Sequence, residues 1–210
     1  MEGGIKIMKL SNQNAVSPVI GVMLMLVVVI IIAAVVSAFG GGAMGNAQKT
    51  PQATIKGVFS QSGGMQIIHT GGDAIPASTL LFVVTNDATF GQGLSAATTQ
   101  ILNKAIITDA SGNVLQNTDG TSAITSFTSG QTLYISRDNL NPAYLQPQLA
   151  DGGAGTYSYS GGVWTSSSGK SDLFKQCYIN PDNVGKTFTL SMSDKTSGAT
   201  IAKTTVVITP

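Results

Sequence analysis

From Ala15 to Phe39 the chain carries no charged residue, and almost every position is aliphatic. No surface element of a soluble domain can be built this way, because a helix apolar on every side needs an apolar environment on every side. Ser17 is a good helix N-cap, Pro18 fits the first helical position, and Gly40, Gly41 and Gly42 are expected to stop the helix. At about 1.5 Å per residue, Pro18 to Phe39 covers roughly 33 Å, enough for a hydrocarbon core of roughly 30 Å.

Three readings compete for such a segment. A secretory signal peptide has an apolar region of about 7–15 residues. This run is longer, although Val36-Ser37-Ala38 has the small residues of a cleavage site. An uncleaved signal anchor fits the length. In the third reading the cut falls before the apolar block, which stays with the mature protein. Lys6 and Lys9 precede the run and Lys49 is the first cation after it. The positive-inside tendency therefore places Met1–Asn14 in the cytoplasm and exports the chain beyond Gly40.

The rest of the chain has a different chemistry. Charged residues make up 10% of the whole, against about 25% in an average soluble domain. The net charge of +1 gives no basic stripe for a nucleic acid. A near-neutral surface does little to repel copies of itself. Glu2 is the only glutamate, and the remaining acids are aspartates, which favour turns and caps. Short β-branched runs separated by turn signals predict strands at Thr54–Ser60, Met65–Thr70, Thr79–Thr85, Ala105–Thr108, Gln131–Ser136, Lys175–Ile179, Thr187–Ser193 and Ile201–Thr209. Between Lys186 and Met192, Phe188, Leu190 and Met192 alternate with Thr187, Thr189 and Ser191, so one face is buried. Asp109–Gly112 and Lys195–Gly198 read as hairpin turns, and Asp151–Lys170 as an irregular Gly/Ser/Tyr-rich loop. The expected class is α+β: a long hydrophobic N-terminal helix followed by a mainly antiparallel, β-sandwich-like ectodomain. The expected divisions are a leader at 1–14, the helix at 15–39, a Gly-rich linker at 40–51 and the β-rich body at 52–210.

Catalytic and metal chemistry finds no foothold. His69 is the only histidine and Cys177 the only cysteine, too few for a zinc site. His69, on a strand before Gly71-Gly72, reads as a capped turn residue, and Cys177 as a small core residue on a strand. Neither a Gly-x-Ser-x-Gly elbow nor a full phosphate-binding Gly-x-x-x-x-Gly-Lys-Ser/Thr loop occurs. Asp109, Asp119, Asp138 and Asp182 lack calcium-loop spacing and read as turn caps. No cofactor is expected.

Ser17-Pro18-Val19-Ile20-Gly21 and the aliphatic run after it closely resemble the N-terminal signature of archaeal type IV pilins. Ile67–Ile75 and Asp194–Ile201 resemble that family more weakly. The resemblance implies a class III signal, cut by a prepilin peptidase at Asn14/Ala15 or at Ala15/Val16. It implies a surface filament built from copies of the chain, acting in adhesion or aggregation. It also implies an assembly ATPase and a membrane platform protein as partners, with the subunit in the membrane before assembly. Small residues suited to close helix packing are Gly21, the pair Ala33 and Ser37, and the pair Ala34 and Ala38. Val19 or Ile20 stands where bacterial relatives carry a glutamate, so packing alone must set the register. A membrane-anchored monomeric binding protein and a minor pseudopilin of a secretion or uptake system are the alternatives.

Overall fold

The computed structural model describes residues 18–43, 51–150, 157–167 and 171–210. The expected leader, the processing residues Asn14, Ala15 and Val16, the cap Ser17 and the greater part of the linker lie outside them. The chain divides into two compact units, Met1–Lys49 and Thr50–Pro210.

In the first unit a single helix, α1, spans Pro18–Ala43. It runs through Gly40, Gly41 and Gly42, where the sequence predicts a stop. Glycine costs a helix about 1 kcal/mol relative to alanine but does not forbid it. The four-residue tail to Ala43 continues a helix whose nucleus is long established upstream.

The second unit is a mainly antiparallel β domain on one curled sheet of seven strands. Its strands are β1 (Ala53–Ser60), β2 (Gly64–Gly72), β4 (Leu80–Asn86), β5 (Gln100–Ile101), β7 (Thr132–Ile135), β10 (Thr187–Asp194) and β11 (Thr200–Thr209). Their order across the sheet is β5-β4-β10-β11-β1-β2-β7. Only β1 and β11 run parallel, with Phe59 opposite Ile208 and Ser60 opposite Thr209. Two small ribbons complete the body: β3 (Ile75–Pro76) with β6 (Ser126–Phe127), and β8 (Tyr157–Ser160) with β9 (Val163–Ser166). The α+β expectation holds, and the closure of the body comes from the curl of one sheet.

Alternation decides which face is buried. Phe188, Leu190 and Met192 on β10 are fully buried, as are Leu80, Phe82 and Val84 on β4 and Phe59 on β1. Phe188 stacks on Tyr178 with ring centroids 4.1 Å apart, and Phe59 meets both rings edge-on. The opposite face is largely hydroxyl-bearing: Thr85, Thr189 and Thr205 stand in one cross-strand row. At the β1–β2 turn, Gly64 has a positive φ, and a Cβ there would strike the Ile135 carbonyl oxygen, so only glycine fits.

Two predicted strands are not strands. Lys104–Ile106, overlapping the start of the expected strand Ala105–Thr108, forms a 3-10 turn capped by Asn103, whose side chain accepts from the Ala105 N–H. Thr108 alone bridges, to Val114 and Tyr134. Lys175–Ile179 is a chain of turns. The Asn183 side chain donates to the carbonyls of Lys175 and Cys177, and Asn180 donates to that of Phe174. Side-chain amides thereby occupy carbonyls that a strand ladder would need. Cys177 is fully buried, as expected, though on this strap of turns rather than a strand. His69 is not a turn residue. It lies fully buried in β2, its Nε2 3.1 Å from the Asp73 carbonyl and its ring edge-on to Phe127.

Part of Asp151–Lys170 is regular. The β8–β9 hairpin turns through Gly161 and Gly162, both at positive φ, the pair that a two-residue turn requires. Trp164 anchors it by donating from Nε1 to the Gln61 carbonyl at 2.9 Å. Gln61 is the hub of this end of the body: its Nε2 also donates to the carbonyls of Tyr178 and Asn180.

Two of the four expected aspartate caps form, at Asp109 and Asp119; Asp138 instead pairs with Arg137 at 3.0 Å, and at Asp182 the cap is Asn180, which accepts from the Asp182 N–H. Asp109 accepts from the side chain of Asn113 and from the backbone of Ser111 and Asn113. Asp119 is held by Thr121, and Asp194 by Ser197 at the β10–β11 turn. Hydrogen bonds from the Asn113, Thr121 and Ser197 side chains, first among their causes, hold these three carboxyls below their usual value. A carboxyl whose folded pKa is depressed stabilises the fold above its unfolded value and loses that contribution as pH falls through the folded one. Amide exchange at Ser111, Asn113, Thr121 and Ser197 should therefore accelerate selectively below about pH 4. Unchanged protection there relative to the β10 ladder would show that the carboxylates do not hold these turns.

Candidate functional site: the N-terminal helix

Pro18–Phe39 is long and apolar enough to cross a membrane, and none of this 22-residue stretch is buried within the molecule. Its large side chains are exposed on all sides, from 43% at Val28 to 76% at Phe39. Valine and isoleucine are stiff at χ1 and enter helices at slight cost, so local propensity does not explain this composition. Demand for apolar surroundings does.

Helical geometry sorts the small residues. At about 100° per residue, Ala33, Ala34, Ser37 and Ala38 form one stripe roughly 140° wide near the C-terminal end of the run. Gly21 lies about 170° away from the middle of that stripe and about 20 Å further down the axis. A Cβ built on Gly21 meets nothing within 4 Å. Between Pro18 and Phe39 the helix thus offers two separate small-residue positions, on opposite sides and at opposite ends, rather than one continuous seam. Four of the five signal-motif residues, Pro18, Val19, Ile20 and Gly21, form its first turn.

Residues 14–55 match the family model of the archaeal type IV pilin N-terminal region. The match takes in the signal motif, all of α1 and the first residues of β1. It agrees with the resemblance carried by Ser17–Gly21. This pilin family is one of structural proteins rather than enzymes. The match stops at residue 55, so it carries the pilin N-terminal segment and leaves most of the β body outside it. No curated protein matches the chain.

Among the described residues no group of three or more His, Cys, Asp or Glu side chains could hold a metal ion. The hollows seen among the described residues of the body are open to solvent. One, of about 610 Å³, lies between Pro51–Thr54 and Ala199–Ile201 where β1 and β11 begin, and its lining bears no charge. Its lining carries no carboxylate, imidazole, amine or thiol. What the helix offers is exposed apolar surface and small residues suited to packing. The small residues of this helix are legible in the sequence; the geometric separation of Gly21 from the alanine–serine stripe emerges only from helical phase.

Proposed function

We propose that this chain is the structural subunit of a type IV pilus-like surface filament. The observation that carries the reading is a helix apolar on every side and exposed from Pro18 to Phe39, inside a segment matching the archaeal pilin N-terminal family. Contiguous apolar surface on this scale far exceeds the few hundred Å² that soluble monomers expose. Lipid covers it before assembly, and copies of the same helix cover it afterwards.

In this reading a prepilin peptidase cuts beside Asn14, Ala15 or Val16. The N-terminus is cytoplasmic and the β body is exported. Residues 40–51 join the helix to the body at 52–210. Transfer from lipid to a helix bundle gains little hydrophobic energy, because both surroundings are apolar; close packing and repetition must hold the polymer. Insertion is driven by a cytoplasmic ATPase working through a membrane platform protein. The filament serves surface adhesion or aggregation. A solitary anchored binding protein uses the same helix against lipid alone, and a minor pseudopilin uses it in few copies.

The N-terminal peptide mass of material sheared from cells and sedimented tests the reading. A start at Ala15 or Val16 in an abundant sedimenting polymer is the expected result. An intact Met1 confined to the membrane fraction overturns the filament in favour of an anchor. A start near Gly40 means a released body.

A further inference from the structure

We infer that the outer face of the sheet at β1 and β11 seats the 108–124 loop of a second copy of this chain, with Lys56 and Lys203 on the face and Lys195 at its rim meeting Asp109 and Asp119 on the loop. The inference rests on the filament reading and names a contact between bodies within it. Ile55 and Phe59 on β1, and Val206 and Ile208 on β11, point into the core. Lys56 and Lys203 have the other phase on those strands, so they project from the opposite face, and both are exposed. On the same face Val58 and Val207 are 38% and 50% exposed; each immediately precedes the paired Phe59 and Ile208, so the two valines stand side by side. Lys195 is exposed in the turn from β10 to β11, at the end of the body where β1 and β11 begin.

Among the described residues no carboxylate pairs with any of these three lysines. Asp73 and Asp194 lie at the same end but are turned into caps, the first on the Gln52 N–H and the second on Ser197. Asp87 reaches the outer face only at the far end of the strands, where Thr189 donates to it. The unmatched acids stand elsewhere. Thr108 bridges to Tyr134 on β7, the last strand of the sheet, and Asp109, Ala110 and Ser111 line one hollow with Gly130–Tyr134, so the loop lies along that edge. Asp109 and Asp119 accept hydrogen bonds only from their own loop, and no cation pairs with either among the described residues. Arg137 and Asp138, by contrast, meet each other at 3.0 Å.

The body thus carries an unpaired basic face with an apolar centre, and an unpaired acidic loop, that cannot meet within one chain because β2 and β7 lie between them. Two copies side by side bring the two together. Salt screens exposed charges beyond about 8 Å at physiological ionic strength, so the match acts only where the bodies are held close, as a filament holds them. The contact is heterologous: each copy offers its face to one neighbour and its loop to the next. Such a contact propagates into an open polymer unless its rotation closes a ring. An anionic lipid surface also attracts lysines, but nothing in it answers Asp109 and Asp119, and a second copy answers both.

Carbodiimide treatment of sheared, sedimented filaments tests it, because the reagent joins a carboxylate to an amine only where the two touch. The expected result is a covalent dimer whose linked peptides, identified by mass spectrometry, join Asp109 or Asp119 to Lys56, Lys195 or Lys203 and are absent from the monomer band. Filaments whose dimers carry none of these links overturn the inference and leave the filament reading standing. A chain that yields no sedimenting polymer overturns both. Shielding of the three lysines from acetylation in phosphatidylglycerol vesicles, with no such links in filaments, assigns the face to lipid instead. Full chain carrying Lys56→Glu and Lys203→Glu is a second, independent measure. Its filament yield should fall at least about tenfold at about 0.15 M salt, while the thermal midpoint of its body stays within about 2 °C of the parent. A normal yield with an unchanged midpoint overturns the inference.

Discussion

Ala34→Phe will abolish sedimentable filaments while the β body stays folded and the chain stays in the membrane. Ala34 lies within the stripe of Ala33, Ser37 and Ala38, where small side chains let a neighbouring helix approach closely. A phenyl ring there holds two helices apart. In an apolar environment no hydrophobic gain compensates for lost packing, so the whole cost falls on the contact. About 1.4 kcal/mol per contact already weakens association tenfold, and every subunit in the polymer bears it. The new residue is apolar, so membrane insertion is untouched. Ile32→Phe is the control: it lies on the opposite side of the helix, about 170° from the stripe, and exchanges one bulky residue for another. Electron microscopy and quantification of sheared material read the outcome. Filaments of normal yield from Ala34→Phe would remove the alanine–serine stripe from the assembly contact.

How far the sequence discloses this molecule depends on which force decides each segment. The helix is legible because a charge-free run from Ala15 to Phe39 leaves the chain no other environment. Strand β10 is legible because Phe188, Leu190 and Met192 obey a period of two, and β1, β2, β4 and β11 follow from β-branched runs with turn signals around them. The turns at Asp109 and Asp194 are legible because short acidic side chains close them locally. The segment from Lys175 to Ile179 is not, because its conformation depends on Asn180 and Asn183 reaching back to its carbonyls, and on Gln146 Oε1 accepting from the Tyr178 N–H. That last contact joins residues 32 apart in the chain. No local pattern announces it. The β8–β9 hairpin does leave a signal, Gly161-Gly162 between alternating Tyr-Ser-Tyr-Ser and Val-Trp-Thr-Ser, which the low-complexity composition around it obscures. In the candidate site, residue identities are readable directly. Their grouping is not: Gly21 resembles the alanines in size, and only helical phase sets it on another side.

The body must hold together without a disulfide, since Cys177 is its only thiol. Its stability therefore rests on the aromatic centre, and Phe188→Ala will cost about 3–5 kcal/mol. Phe188 is fully buried on a strand flanked on both sides by partners, β4 and β11. Its ring stacks on Tyr178 at 4.1 Å and meets Phe59 edge-on at 5.6 Å. Truncation removes the transfer energy of the ring and leaves a space that two large aromatics, each held by other contacts, cannot fill. Tyr178 is further committed through its backbone to Gln146 and Gln61. Against a total of about 5–15 kcal/mol the loss is a large fraction, and the thermal midpoint should fall by about 10 °C or more. Thr205→Ala, on the exposed face of β11, should stay within about 0.5 kcal/mol of the parent. Near-UV circular dichroism of the full chain in detergent, followed through thermal unfolding, measures both. A midpoint for Phe188→Ala within about 2 °C of the parent would mean that the aromatic cluster is not the body's centre. The pair of substitutions also separates the two units by mechanism. Phe188→Ala acts on a body whose packing is internal, and any filament defect it causes must appear with a lowered melting point. Ala34→Phe acts on a helix whose described side chains are exposed, and its filament defect must appear without one.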